Sequence, residues 1–350
     1  MAGLTPGDRI PDFARPDPAG KPLMFYDLHL GQAMALFICG PAATPETRAA
    51  LSALNADDTD WGKVTRVALT LGTPAECAAL VSELSLAFPL LVDDGTLSTH
   101  LLGAPAAGMT AFLLDDNLRI TERLQASADF KTLTDRVAAS YVARVHPAAQ
   151  VLRQQAPVLF IPRVLDAALC AGLIAHFEET GGTPSGTAYV KGDTADWKPD
   201  PSVKMRRDIY LKEGVWLDRL KDALVRRALP EIQRCFNFRV TQHEVFKVIR
   251  YDAGAGYFRP HRDNESRDTQ HRRFAMTLNL NTGAYAGGEL HYPEFGPDLY
   301  EPELGGAAIF SCSLLHEVMP VTQGKRYAVL GFFFGEGQSI APVEYREAGN

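Results

Sequence analysis

Apolar and polar positions alternate in two different ways along the chain, and the change comes near residue 145. Before it, short unbroken apolar runs take turns with stretches of helical period. Met34 to Cys39 (MALFIC) and Val64 to Leu71 read as buried strands, and Phe88 to Val92 and Ala111 to Leu114 supply two more. Between them, Pro45 to Leu54 and Pro74 to Leu84 carry helical spacing. Thr44 and Thr73 stand where a hydroxyl caps a first turn that opens on proline. Ala128 to Tyr141 is a closing helix. Strands alternating with helices predict an α/β domain whose central sheet is covered on its faces.

After Val145 a helical stretch covers Asp166 to Thr180. A loop rich in Gly, Pro, Thr and Asp then runs from Gly181 to Lys204, and a second helix lies over Leu217 to Cys235. The remainder reads as strands: Glu244 to Tyr251, Phe274 to Leu280, Glu289 to Tyr292, Ala307 to Phe310 and Arg326 to Phe334. Gly, Asn and Pro turns separate them, the pattern of a sandwich or jelly roll. The expected division is 1–145 and 146–350, and no internal repeat interrupts either part.

Composition narrows the picture. With 46% hydrophobic and 22% charged residues in 350, each half can bury a core, which excludes a disordered or fibrous chain. A net charge of −7 gives no general attraction to phosphate backbones, so nucleic acid and membrane surfaces are not expected partners. No apolar run approaches the roughly 18 residues of a spanning helix. Met1 to Phe13 carries Asp8, Arg9 and two prolines where a signal peptide needs an apolar core. The five cysteines (Cys39, Cys77, Cys170, Cys235, Cys312) are scattered and form no CxxC pair, which argues against a disulfide framework and a structural zinc site. A reducing compartment, the cytoplasm, is the expected location.

The segment that carries chemistry is Tyr251 to Asp263, YDAGAGYFRPHRD. On extended chain His261 and Asp263 leave the same face, side by side. A third ligand can come from a neighbouring strand, and His316 is the best candidate. Two His and one carboxylate with open positions beside them form the arrangement of non-heme Fe(II) oxygenases. The pair alone is a weak signal; a surface His–Asp turn reads the same. His176 with Glu178 is such a decoy, because residues two apart diverge on a helix. Arg326, ten positions after His316, opens the run RYAVLGFFF. If Arg326, Ala328, Leu330 and Phe332 face inward, a buried guanidinium needs an anion, and a dicarboxylate cosubstrate held by bidentate pairing supplies one.

Taken together, His261-Arg262-Asp263, LLHEVMPV around His316, GGELHYPEFG and Arg326 resemble the prolyl-4-hydroxylase-like branch of the Fe(II)/2-oxoglutarate dioxygenases, over the chain from about Ala156 onward. The resemblance implies a double-stranded β-helix in which His261, Asp263 and His316 hold Fe(II). It implies that Arg326 pairs with the far carboxylate of 2-oxoglutarate, with Lys325 as the substitute one register away. Tyr251 matches the family tyrosine that reaches the cosubstrate. Thr277 and Asn279, on the polar face of FAMTLNLN, are candidate cosubstrate contacts, and a solvated strand face is the competing account. The implied activity is hydroxylation of an unactivated C–H with dioxygen, releasing succinate and carbon dioxide. Ascorbate is a candidate further cofactor, and the Asp at 263 favours hydroxylation over halogenation. A peptidyl proline, another protein side chain and an amino-acid-like molecule all stand as substrates. The 181–207 segment, with Tyr189, Trp197, Lys204, Arg206 and Arg207, is either a lid or a surface excursion; its basic residues would suit an anionic substrate.

In the first half, GDRIPDF at Gly7 to Phe13, FPLLVDDG and TAFLLDDNLRI resemble the peroxiredoxin branch of the thioredoxin fold over about residues 3–140. The catalytic part departs from that family: Thr47 stands at the peroxidatic cysteine's place and Met109 at the supporting arginine's. A hydroxyl cannot replace a thiolate against peroxide. Cys39-Gly40-Pro41-Ala42 echoes a thioredoxin motif without its second cysteine, and Cys39 reads as a core residue. The resulting expectation is a redox-inactive module that docks a partner, forms a homodimer or presents substrate. Two rival readings of the whole chain are a thiol peroxidase using Cys39 or Cys77, and a non-catalytic protein whose barrel binds a metal or ligand.

Overall fold

A computed structural model describes residues 3–29, 31–57, 64–142, 148–149, 151–191, 194–337 and 344–346. The chain forms two compact units, Met1–Ala149 and Gln150–Asn350. The 145/146 boundary drawn from the sequence lies outside the described residues.

The first unit is built on a five-stranded sheet in the order Leu90–Asp93, Thr65–Leu71, Met34–Pro41, Met109–Leu114, Ile120–Ala126. The first three strands run parallel, and Met109–Leu114 lies antiparallel to both of its neighbours. Along Met34–Pro41, Ala35, Phe37 and Cys39 join a core with Leu51, Leu80 and Val137 from the helices. Met34, Leu36 and Ile38 face a second core with Ile10, Phe25 and Leu101. Burial on both faces is why the run is apolar without alternation. The helices Pro45–Asn55 and Pro74–Leu84 begin as expected: the Thr44 hydroxyl accepts the Thr47 N–H at 3.3 Å, and Thr73 with Glu76 closes a capping box. The edge strand Ile120–Ala126 was not anticipated, because its exposed polar positions break the apolar run. This unit is thioredoxin-like.

The second unit is a jelly roll of two sheets with helices on its outer face. The larger sheet runs Leu159–Ile161, Ala307–Ser311, Phe274–Asn279, Val321–Phe334, Phe246–Asp252, Arg207–Leu211, Thr183–Pro184. The smaller runs Lys204–Met205, Tyr257–His261, His316–Val318, Leu290–His291, Leu299–Tyr300. In the long central strand, Tyr327, Val329 and Phe333 pack with Leu173 and Leu220 of the helices. Arg326, Leu330 and Phe332 line the cleft on the other side.

Two expectations are corrected here. The Gly181–Lys204 loop instead contains strands: Gly186–Lys191 pairs antiparallel with Thr194–Pro199, and Thr183–Pro184 joins the larger sheet. The side chains of Tyr189 and Trp197 lie outside the described residues. The Leu217–Cys235 helix is split into Val215–Ala223 and Leu229–Phe236 by a π-helical turn, Leu224–Ala228. Pro230 accounts for the split, since it lacks an N–H and its ring displaces the carbonyl four residues back.

Candidate active site

His261 ends the strand Tyr257–His261 and His316 opens His316–Val318; the two are directly opposite in the antiparallel pairing. The Asp263 N–H donates to the Cys312 carbonyl at 2.9 Å, which turns the carboxylate back toward both rings. One ligand atom from each of His261, Asp263 and His316 lies within 4.8 Å of the others.

The hydrogen bonds fix what those atoms can do. His261 Nδ1 is 2.7 Å from the Arg259 carbonyl and His316 Nδ1 is 3.0 Å from the Leu314 carbonyl, so each Nδ1 carries the hydrogen. Both Nε2 lone pairs then face Asp263, at 3.5 Å for His261 and 3.4 Å for His316. Three electron-pair donors converge, and a cation is the group that satisfies all of them. Burial would raise the Asp263 carboxyl, but positive charge on the facing His316 and His261 rings, with Arg272 beyond, holds it well below the usual carboxylate range, and a bound cation would supply the same charge with both rings neutral. Burial lowers His316, which favours the neutral, ligating ring. Phe258 stacks on His261 with centroids 3.5 Å apart, and Phe310 meets His316 edge-on at 4.7 Å. Arg272 donates to the Asp263 carbonyl at 3.1 Å and is itself gripped by both oxygens of Glu244, at 2.6 and 2.9 Å.

Arg326 lies in the same cleft, a cavity of about 1430 Å³ that Tyr251 and Thr277 also line. It is 2% exposed. Its Nη2 donates to Thr277 Oγ1 at 3.2 Å and Asn279 Oδ1 at 2.8 Å, and its Nε has no hydrogen-bond partner among the described residues. No carboxylate among those residues forms an ion pair with it. A buried guanidinium held only by neutral groups is a receptor for an anion. Thr277 and Asn279 are therefore not on a solvated face: both are buried against this arginine. Asn279 is held in turn by the Tyr285 hydroxyl at 2.9 Å. The Tyr251 ring centroid lies 5.6 Å from the Arg326 guanidinium carbon, and its hydroxyl accepts from Arg206 at 3.4 Å. Lys325 faces the other way, 3.7 Å from Glu178. Glu178 also takes Arg250 at 3.0 Å, so the His176–Glu178 decoy has structural partners.

In the first unit, Thr47 is buried near the start of its helix, bonded to Thr44, and Met109 is buried in the sheet. Cys39 sits inside a strand, where burial pushes its thiol up to about 12; burial also raises Cys77 to about 11. A peroxidatic thiolate needs the opposite shift.

Several residues at the site went unread in the sequence. Phe258, Lys247, Glu244 and Arg272 carried no local signal. Asp208 and Tyr210 did: with Lys204 and Arg206, which the sequence already singles out in the 181–207 segment, they recur at every second position, a strand period partly concealed by the turn-rich residues before it.

Residues 246–334 match the 2OG-Fe(II) oxygenase superfamily, and residues 6–123 match the AhpC/TSA family. The PKHD-type hydroxylase Mmar10_1675 of Maricaulis maris (strain MCS10) is 32% identical over 150 residues, covering 41% of this chain and 65% of that protein. The chain thus spans under two thirds of that relative's length. Among solved structures, a prolyl hydroxylase from Trichoplax adhaerens, in complex with a hypoxia inducible factor peptide fragment, shares 18% identity at a TM-score of 0.41. The match covers 52% of this chain and 84% of that one. The peroxidoxin BcpB of Mycobacterium tuberculosis shares 21% identity at a TM-score of 0.36, covering 41% of this chain and 99% of that one.

Proposed function

We propose, for a chain that carries a 2OG-Fe(II) oxygenase domain in its C-terminal part and an AhpC/TSA domain in its N-terminal part, that the C-terminal unit hydroxylates an unactivated C–H. His261, Asp263 and His316 would hold Fe(II), and Arg326 would receive the far carboxylate of 2-oxoglutarate. The observation that supports this most is the meeting, in one cleft, of three convergent lone-pair donors and a buried arginine without an anion. When bound, iron and 2-oxoglutarate supply the oxidising chemistry: dioxygen is consumed, succinate and carbon dioxide leave, and one oxygen atom enters the substrate.

The chain's own part is positional. The carbonyls of Arg259 and Leu314 keep each imidazole hydrogen on Nδ1, so Nε2 stays free to ligate. Arg272, fixed by Glu244, holds the backbone of Asp263 in place. Thr277 and Asn279 aim Arg326 and act on the cosubstrate through it. Phe258, Phe310 and Phe332 keep the walls apolar around the reacting centre. The substrate is a prolyl or other side chain of a peptide, or an amino-acid-like molecule. The first unit, with Thr47 and Met109 at the two catalytic places and both of its thiols raised, serves as a redox-inactive module.

Anaerobic addition of Fe(II) and 2-oxoglutarate should give a weak visible charge-transfer band, and oxygen with ascorbate should then yield succinate. His261→Ala should remove both signals; a band that persists in that variant counts against the ligand set. Peroxide consumption lost on Cys39→Ser would revive a thiol peroxidase.

A further inference from the structure

The segment GGELHYPEFG holds an acidic residue, Glu294, that has no part in that scheme. Glu294 sits in the short helical turn Pro293–Phe295, closed by the Phe295 N–H on the Tyr292 carbonyl at 2.9 Å. That turn follows the strand Leu290–His291, which pairs with His316–Val318. The carboxylate is thereby carried to the residues just ahead of His316. Its two oxygens accept three bonds. Oε1 takes Arg262 Nη2 at 2.7 Å, and Oε2 takes Arg262 Nη1 at 3.2 Å and the Leu315 N–H at 3.2 Å. Arg262 stands in the chain between His261 and Asp263. It also donates to the Ser313 carbonyl, and its Nε lies 3.6 Å from Glu265. Asn264 donates to the Ser313 hydroxyl at 2.8 Å. The two segments that bear the metal-facing side chains are thus tied together, and Glu294 bonds to both.

The bond to Leu315 reaches the metal site by a short route. The Leu315 N–H and the Leu314 carbonyl belong to one planar peptide group and point in opposite directions. That carbonyl accepts the His316 Nδ1 hydrogen at 3.0 Å. A carboxylate at the N–H end fixes the tilt of the plane and polarises it, so the carbonyl at the other end becomes a better acceptor. A better acceptor on Nδ1 holds the ring in place and makes Nε2 a stronger electron-pair donor. The bonds from Arg262 and the Leu315 N–H hold the Glu294 carboxyl below its ordinary value, so the charge is present at neutral pH. As a fold contact the pair is weak: Arg262 and Glu294 are 31% and 41% exposed, and ion pairs of that kind contribute little to stability. Its position gives it a different use.

We propose that Glu294 is a positioning residue of the metal site. Through Arg262 it sets the turn that carries His261 and Asp263, and through the Leu314–Leu315 peptide it orients the His316 imidazole. This rests on reading those three side chains as metal ligands.

The test compares Mn(II) affinity, read from the electron paramagnetic resonance of the free ion, with the melting temperature of the metal-free full chain. Glu294→Ala should weaken Mn(II) binding about tenfold, the lower end for a group that acts on a ligand from outside. The melting temperature without metal should move by about 2 °C or less. Glu294→Gln keeps an acceptor for the Leu315 N–H but not the charge, and should lie between wild type and Glu294→Ala. Arg262→Ala should also weaken the metal, and the double variant should fall short of the product of the two single losses, because both break one linkage. Unchanged Mn(II) affinity in Glu294→Ala overturns the proposal, as do losses that multiply independently. A metal-free melting temperature that falls in step with affinity overturns it too, by making the pair an ordinary fold contact. Wild type is loaded first, and if it binds no Mn(II) the reading of the cleft fails instead. Proton–nitrogen NMR of the histidines in the metal-free chain then decides the role of Glu294. The His316 ring, assigned with His316→Ala, should hold its hydrogen on Nδ1 in wild type and be a mixture of tautomers in Glu294→Ala, and identical spectra overturn the proposal.

Discussion

Arg326 is aimed by neighbours whose individual contributions can be measured. Asn279 fixes one end of its guanidinium, and Gly288 lies against its aliphatic stem. A Cβ built on Gly288 would stand 2.8 Å from Arg326 Cδ, on a backbone whose φ is +78°. Asn279→Ala should raise the KM for 2-oxoglutarate about tenfold, the worth of one hydrogen bond to a charged group, and Gly288→Ala should raise it as well, by displacing the arginine's stem. The turnover number at saturation should largely persist, and succinate kinetics separate the two effects. Cys39 yields a second expectation. Its thiol is raised from 9.0 to about 12 in the folded chain, so the stability this supplies is complete below the unfolded value and is lost as pH climbs toward 12. Wild type should lose stability relative to Cys39→Ala over that window, by about 1.4 kcal/mol per pH unit at most, and denaturant titration at stepped pH reads it. Equal slopes in the two proteins would count against a buried, protonated thiol. At this scale the sequence exposed which residues share a strand face. It did not expose whether Thr277 and Asn279 meet water, because the arginine that covers them comes from a strand 49 and 47 positions away.

At the scale of elements, register assigns the roles of two adjacent cations. In the pairing of Phe246–Asp252 with Val321–Phe334, Tyr251 faces Arg326 and Asp252 faces Lys325, and successive side chains leave opposite faces. Arg326 therefore enters the cleft while Lys325 reaches Glu178 on the helix side. Lys325→Ala should leave 2-oxoglutarate affinity within about twofold of wild type, in line with the small worth of an exposed ion pair. Arg326→Ala should weaken it a hundredfold or more, because a bidentate, desolvated contact is removed. Equal effects from the two substitutions, measured by titration with Mn(II) present, would place the strand one residue out of register. Strand periods were legible wherever one face is apolar, as in RYAVLGFFF. They were hidden in the Gly181–Lys204 segment, where glycines, prolines and polar residues occupy strand positions. The π turn before Pro230 escaped a reading that expects a single helical period.

At the scale of the molecule, the two patterns of apolar residues correspond to two ways of burying a sheet. The thioredoxin-like unit buries both faces of its central strands, which gives unbroken runs. The jelly roll turns one face to the helices and the other to the cleft, so Arg326 and Thr277 stand among apolar residues on the cleft face of strands that are apolar on their other side as well. Strand alternation placed Arg326 and Thr277 within reach of one cavity, whereas meeting of His261 with His316 required the sheet itself. The residues offered to metal and cosubstrate all come from Gln150–Asn350, so the free energy of ligand binding is delivered to that unit's core strands. At ligand concentrations about a hundredfold above Kd, binding contributes roughly 2.7 kcal/mol. For a unit of this size, that corresponds to a rise of about 5–10 °C in its melting temperature. Mn(II) with 2-oxoglutarate should produce that rise in the full chain. Hydrogen exchange should show it as slower exchange in Tyr257–His261, His316–Val318 and Val321–Phe334. A chelator should reverse it, and Asp263→Ala should abolish it while Cys39→Ala keeps it. A rise that survives Asp263→Ala would mean that the metal is held elsewhere, and the convergent lone pairs of the three side chains would need another explanation.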